Sequence, residues 1–226
     1  MKKIAVFLLL AFFAKGLHAQ IIDESTKKKF SIGWNLYSDI WQDMPKGIKA
    51  RTINQGSGFF GMYNLAFGKS NFSFAIGAGL SSHNLYGNFL VGKRSDTTTF
   101  INIKDTYKDT IDYKRSKLSL TYLEIPLEFR YKNKGKFTMG IGFKGGRIIN
   151  SHTKYVGENY QPGTGEGIRV KYRNVSYLNK YYYGPTIRFG YNWINVSAFY
   201  SLSTIFEKNH GPEMYPISVG ITLMPF

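Results

Sequence analysis

The chain has 226 residues with a formal net charge of +16, 17 Tyr, 18 Phe, 24 Gly and no Cys. The absence of cysteine excludes a disulfide framework and a thiolate metal site, and an apolar fraction of 43% with 17% aromatics excludes a disordered basic tail. The length suits one barrel or sandwich.

Met1-Lys2-Lys3 precedes the unbroken apolar run Ile4 to Ala14 and then Lys15-Gly16-Leu17-His18-Ala19. The run is about half of the roughly 20 residues that a membrane-spanning helix needs, and a small residue stands before the expected cut. The sequence therefore predicts a cleaved signal peptide over residues 1–19 and a β-barrel domain over residues 20–226. Cleavage removes three Lys and leaves 27 basic against 14 acidic residues, a mature charge near +13. Export and the absence of a Lys/Arg-rich helix argue against nucleic acid as the partner. A basic exported surface suits outer-membrane lipid and lipopolysaccharide, whose head groups are anionic.

No later stretch is long enough for a membrane helix, and the mean hydropathy is that of a water-soluble protein. Barrel strands hide their membrane signal, because lipid-facing apolar residues alternate with lumen-facing small or polar ones. Taken along the chain, Phe30, Ile32, Trp34 and Leu36 share one face and Ser31, Gly33 and Asn35 the other. Phe59 to Phe67 repeats the pattern. After the turn Gly68-Lys69-Ser70-Asn71, so do Phe72, Phe74, Ile76, Ala78 and Leu80, which makes a hairpin. The fourth strand sets Leu123, Ile125, Leu127, Phe129 and Tyr131 outward and Glu124, Pro126, Glu128 and Arg130 inward. Past Asn133-Lys134-Gly135, the fifth sets Phe137, Met139, Ile141 and Phe143 against Thr138, Gly140, Gly142 and Lys144. The sixth sets Tyr183 to Tyr191 against Gly184, Thr186, Arg188 and Gly190. After Asn192-Trp193, the seventh sets Val196, Ala198, Tyr200 and Leu202 outward, with Phe199 on the inner side. The eighth sets Ile217, Val219, Ile221 and Leu223 against Ser218, Gly220 and Thr222. Nothing in the chain matches an amphipathic helix as well.

The connections alternate as those of an outer-membrane barrel do: long ones over about 40–56, 84–116, 149–176 and 204–214, and short ones near 69, 133 and 192. The fold expected is all-β, a closed antiparallel transmembrane β-barrel of about eight strands with short periplasmic turns and long external loops. An aromatic residue, Phe226, ends the chain, although Pro225 interrupts the last strand before it. A soluble β-sandwich also has one apolar face per strand. Against it stand an inner face that mixes Gly, Ser and Thr with charges and Tyr-rich strand ends that suit interfacial girdles.

Thr121-Tyr122-Leu123-Glu124-Ile125-Pro126-Leu127-Glu128-Phe129, Gly142-Phe143-Lys144-Gly145-Gly146 and Pro216-Ile217-Ser218-Val219-Gly220-Ile221 resemble the PorT-like family of outer-membrane β-barrels from Bacteroidota. The Leu-Glu-Ile-Pro-Leu segment carries the resemblance most. It implies a small outer-membrane barrel, and the namesake branch is associated with type IX secretion and gliding.

An eight-stranded barrel is filled by its own side chains, so its inward charges must pair. Glu124, Glu128, Arg130, Lys144 and Arg188 come from neighbouring strands and are expected to form a cross-strand salt-bridge network that plugs the lumen. A gated ion path through the same network is the sharper alternative. His83, His152 and His210 are expected at external strand ends or loops. They lack the His-x-Ser spacing of lipid deacylases and any paired metal-ligand motif, so no catalytic, cofactor-binding or metal-ligating residue is assigned. Gly140-Ile141-Gly142 and Gly163-Thr164-Gly165-Glu166-Gly167 fail the context of a nucleotide loop; the first reads as small inward residues leaving room for larger neighbours. In the 84–116 connection, Phe100, Ile101, Ile103, Tyr107 and Tyr113 suggest a β-hairpin above the membrane that contacts glycolipid or another protein. The expected function is a monomeric or weakly associating outer-membrane barrel with a structural or binding role and no enzyme activity. The alternatives are a component of type IX secretion and a rim lipid-modifying enzyme.

Overall fold

The computed structural model describes residues 29–107, 111–159 and 166–224. The expected signal peptide, Gly163 to Gly165, and Pro225 and Phe226 lie outside the described residues.

Among the described residues there are eleven strands: β1 Phe30–Gln42, β2 Gln55–Ala66, β3 Phe72–Tyr86, β4 Phe89–Arg94, β5 Thr97–Asn102, β6 Tyr113–Lys132, β7 Phe137–Glu158, β8 Gly167–Arg173, β9 Tyr181–Tyr191, β10 Ile194–Tyr200 and β11 Tyr215–Leu223. One short helix, α1 Ile103–Tyr107, follows β5. Eight strands, in the order β6-β3-β2-β1-β11-β10-β9-β7, form an antiparallel wall that closes through β6 and β7. β4 and β5 form a separate hairpin, and β8 is added to the part of β7 that β9 does not reach. The first and last strands make a seam, with Trp34 opposite Leu223 and Gln42 opposite Tyr215.

The connections at one end are tight. Asn192 takes the left-handed conformation (φ 58°) between β9 and β10, one that Asn tolerates better than most residues. The β6–β7 turn places Lys136 at φ 65°, and the Asn133 side chain accepts a hydrogen bond from Phe137 N (2.9 Å) to fix it. All the long connections leave the other end, including the one that carries β4, β5 and α1.

The outward apolar residues stay exposed. Leu123 and Ile141 have relative exposures of 50% and 56%, and Trp34, Phe59 and Phe189 behave alike. Together they form one belt around the wall. A β-sandwich would have buried these faces, and a belt of this size is stable only against hydrocarbon. The ten residue-to-residue rises of β7 from Phe137 to Arg147, at about 3.3 Å each and a tilt of roughly 40°, give a belt about 25 Å tall.

Two features depart from the sequence reading. β6 and β7 continue well beyond the belt, to Tyr113 and Glu158, with a register shift at Thr121/Tyr122. Past that level the outer face meets water, so the apolar residues move to the inner face, where Leu118 and Leu120 are buried. The hairpin expected in the 84–116 connection exists as β4–β5, and this connection also packs onto the barrel's own apolar cluster, a contact the sequence reading did not include. Phe89 and Ile103 are fully buried, and the Phe89 and Phe100 rings pack 4.9 Å apart.

Candidate functional site in the barrel lumen

Three tiers of side chains fill the interior. Nearest the short turns, Glu128 on β6 meets two guanidinium groups. Arg188 on β9 donates to both carboxylate oxygens, and Arg130 donates through Nε at 2.6 Å. Arg130 is held further by Ser31 Oγ (2.7 Å) and Asn64 Oδ1 (2.5 Å). Gly140, on β7 between them, makes the arrangement possible, since a Cβ there would collide with Glu128 Oε1. This is the role expected of the inward glycines. Between these groups and the short turns lies an open cavity of ≈ 700 Å³.

In the middle tier, Lys144 Nζ on β7 binds Glu124 Oε2 on β6 at 3.1 Å. Glu124 also accepts a hydrogen bond from the Tyr182 hydroxyl. Phe199, the inner-facing aromatic residue of β10, lies beneath the ammonium, with its ring centroid 4.2 Å from Nζ. Every expected inward charge is therefore paired, and a cavity of only ≈ 70 Å³ separates the two tiers.

The upper tier was not foreseen. Asp39, fully buried on β1, faces His83 on β3, with Asp39 Oδ1 and His83 Nδ1 3.0 Å apart. Ser218 Oγ on β11 donates to the same oxygen (2.6 Å), and Asn84 N donates to Oδ2 (3.3 Å). His83 Nε2 points at the Tyr37 hydroxyl, 3.5 Å away. The expectation of a rim position for His83 is corrected, because it is 1% exposed and points into the lumen. The cue lay in β1, where Asn35, Tyr37 and Asp39 continue the inward set past the last apolar pair.

Above Asp39, a cluster that includes Trp41, Leu85, Phe89, Leu118, Leu120, Phe206 and Met214 packs across the lumen. Phe100 stacks edge-on against Phe206 with centroids 5.9 Å apart, so β5 and the β10–β11 connection share this cluster.

The other two histidines stay apart from His83. His210 donates from Nδ1 to Asp96 O (2.6 Å) and stacks on Tyr177 in the long connections. His152 lies on the outer face of β7, above the belt, where burial and then Lys171, Lys117, Lys154 and Arg173 lower its pKa to about 4. Among the described residues, no three metal-binding side chains come together.

A closed eight-stranded wall with an exposed apolar belt and a polar lumen restricts the possible families to membrane barrels. The model of the family described as outer membrane protein beta-barrel domain matches residues 29–207. The chain belongs to this family. It is an outer-membrane barrel, and the short turns are therefore periplasmic and the long connections external. The matched stretch covers seven wall strands; β11, which closes the wall, follows it. No curated protein matches the chain.

Proposed function

We propose that this outer-membrane barrel is plugged and has a structural or binding role at the cell surface, without enzyme activity. The observation that carries the reading is the filling of the lumen along the axis: the apolar cluster at the external end lies above two tiers of paired charges. A pore needs continuous water, and an apolar constriction of this depth excludes it. The buried Asp39–His83 pair supports the non-catalytic reading. It lies beneath Trp41 and Leu120, out of reach of a lipid in the bilayer, and serves to satisfy a buried carboxylate.

The protein acts as a monomer in this reading, since the wall leaves no strand edge unpaired within the belt. The Leu123-to-Leu127 segment on β6 supports placement in the PorT-like group. Recordings in planar bilayers with purified protein test the proposal. The expected outcome is no conductance at neutral pH, in high salt or in moderate urea. Steady channel openings would replace the plug with a gated ion path. Acyl release from lipid A by wild-type protein would overturn the absence of enzyme activity. Specific co-purification of type IX secretion proteins would replace the structural role with a secretion role.

A further inference from the structure

Above the belt, β6, β7 and β8 form a three-stranded sheet whose outer face continues the lipid-facing side of the wall. Residues paired directly across an antiparallel sheet project on the same side. Lys117 is opposite Lys154, and Lys154 is opposite Lys171, so three ammonium groups stand in one row. Arg115 and Arg169 flank the row through Val156, and Ser119, His152 and Arg173 form the row below. Like charges directly opposite one another destabilise a sheet, and one such pair is normally avoided. Here two occur in succession.

No carboxylate on the sheet offsets them. Above the belt the three strands carry one acid, Glu158, at the far tip, where it accepts a hydrogen bond from Asp112 N (3.1 Å). Among the described residues, none of the six Lys and Arg side chains of this face makes an ion pair. Lys117 is oriented by Asn84 Oδ1 (2.9 Å) and lies over the Tyr86 ring. Its ammonium is held below its usual pKa by burial and then by Arg115, Lys154 and Lys171. His152 Nδ1 is buried without a hydrogen-bond partner.

The height of the face selects the anion. The Ser119–His152–Arg173 row is four residues above Leu123 on β6, and the lysine row six. At about 3.3 Å per residue and a tilt of roughly 40°, the rows lie about 10 and 15 Å above Leu123, the last outward apolar side chain of β6. The head-group layer of a phospholipid is only about 5–8 Å deep. A phosphate at the height of the lysine row must therefore be carried on sugars that extend from the lipid.

We infer that the outer face of β6, β7 and β8 binds the phosphorylated sugars of an outer-leaflet glycolipid, with Lys117, Lys154 and Lys171 as the central contacts. The inference rests on the position of the barrel in the outer membrane and not on a plugged lumen, so a conducting barrel would leave it standing. Anionic phosphates between the strands relieve the repulsion that the bare face carries, and each Lys or Arg near such a surface adds to affinity.

The test uses the full mature chain, folded in detergent and titrated with lipopolysaccharide bearing phosphorylated core sugars. Parallel titrations use the same glycolipid after chemical removal of phosphate, phosphatidylglycerol and inorganic phosphate. The variants are K154Q/K171Q and, as a control at the periplasmic turn, K134Q/K136Q. Binding to the phosphorylated glycolipid is expected to weaken roughly thirtyfold in K154Q/K171Q, as two lost surface charges predict, and to stay unchanged in the control. The unliganded K154Q/K171Q variant should melt at a higher temperature than wild type. Equal affinity of K154Q/K171Q and wild type overturns the inference. So does equal binding of the dephosphorylated glycolipid, of phosphatidylglycerol or of inorganic phosphate. Should K154Q/K171Q fail to fold, K171Q alone and a salt titration of wild type replace it, and binding that survives 0.5 M NaCl overturns the inference.

Discussion

Replacing Glu128 with Gln removes the single carboxylate that two guanidinium groups share. Breaking a buried ion pair by deleting one partner typically costs about 3–5 kcal/mol, because a charge is left behind without compensation. The two arginines differ in what remains to them. Arg130 keeps Ser31 and Asn64 as acceptors and borders the ≈ 700 Å³ cavity, where water solvates it. Arg188 borders the same cavity, but its side chain is 9% exposed and the Phe60 ring, 5.4 Å from its guanidinium carbon, is the protein group left to it. Most of the cost therefore falls on Arg188, and a loss of about 3 kcal/mol is expected, at the lower end of the range. Guanidinium unfolding in phospholipid vesicles measures it, with fluorescence from the exposed Trp34 and Trp193 as the signal. The double variant E128Q/R188M should recover most of the loss, since an apolar replacement of both partners is often near neutral. A loss below about 1 kcal/mol in E128Q, or a double variant no more stable than the single one, would refute the claim that the pair is shielded from water.

Three further outcomes follow from the upper tier and the external sheet. Asp39→Ala leaves His83, Ser218 and Asn84 N without their acceptor and is expected to cost about 3 kcal/mol in the same unfolding assay, whereas Asp39→Asn costs less; equal losses would mean that the acceptor is not what matters. Phe206→Ala opens the external cluster, so brief proteolysis should cut within residues 89–102 while the wall keeps its heat-modifiable mobility on a gel; an uncut hairpin would show that Phe100 does not depend on Phe206. His152, with its pKa lowered to about 4, should remain neutral down to nearly that pH in an NMR titration, and K154Q/K171Q should move it up towards 6.5. Because its folded pKa lies below the unfolded value, its contribution to stability is complete above about pH 6.5, declines as the pH falls from 6.5 to 4, and changes no further below that.

The wall was legible wherever it touches lipid. There, each strand needs an apolar residue at every second position, and Phe137, Met139, Ile141 and Phe143 announce β7 without ambiguity. The same rule stops working above the belt, where both faces of β6 and β7 lose the contrast. Lys117 outside and Leu118 inside are then the signal of a strand, but they resemble any mixed loop. The inward charges were legible as a set because Glu124, Glu128 and Arg130 share one parity. Their pairing across strands depends on register, which tight turns such as Asn133 to Lys136 fix. Asp39 and His83 were hidden for another reason: the residues are 44 apart in sequence, and only the β1–β2–β3 register brings them together. Single residues with no local motif do not reveal such a contact.

The seam between β1 and β11 has a kinetic consequence. Trp34 and Leu223, which face each other across it, are almost the whole domain apart in sequence. Their pairing is the most non-local contact in the wall, and contacts of this kind make folding slow. Until it forms, the sheet has two raw edges, and hydrocarbon offers no hydrogen bonds to either of them. A partly zipped wall therefore has no resting place inside the bilayer. Pairing of the last strand with the first is thus the step on which a stable position in the membrane depends.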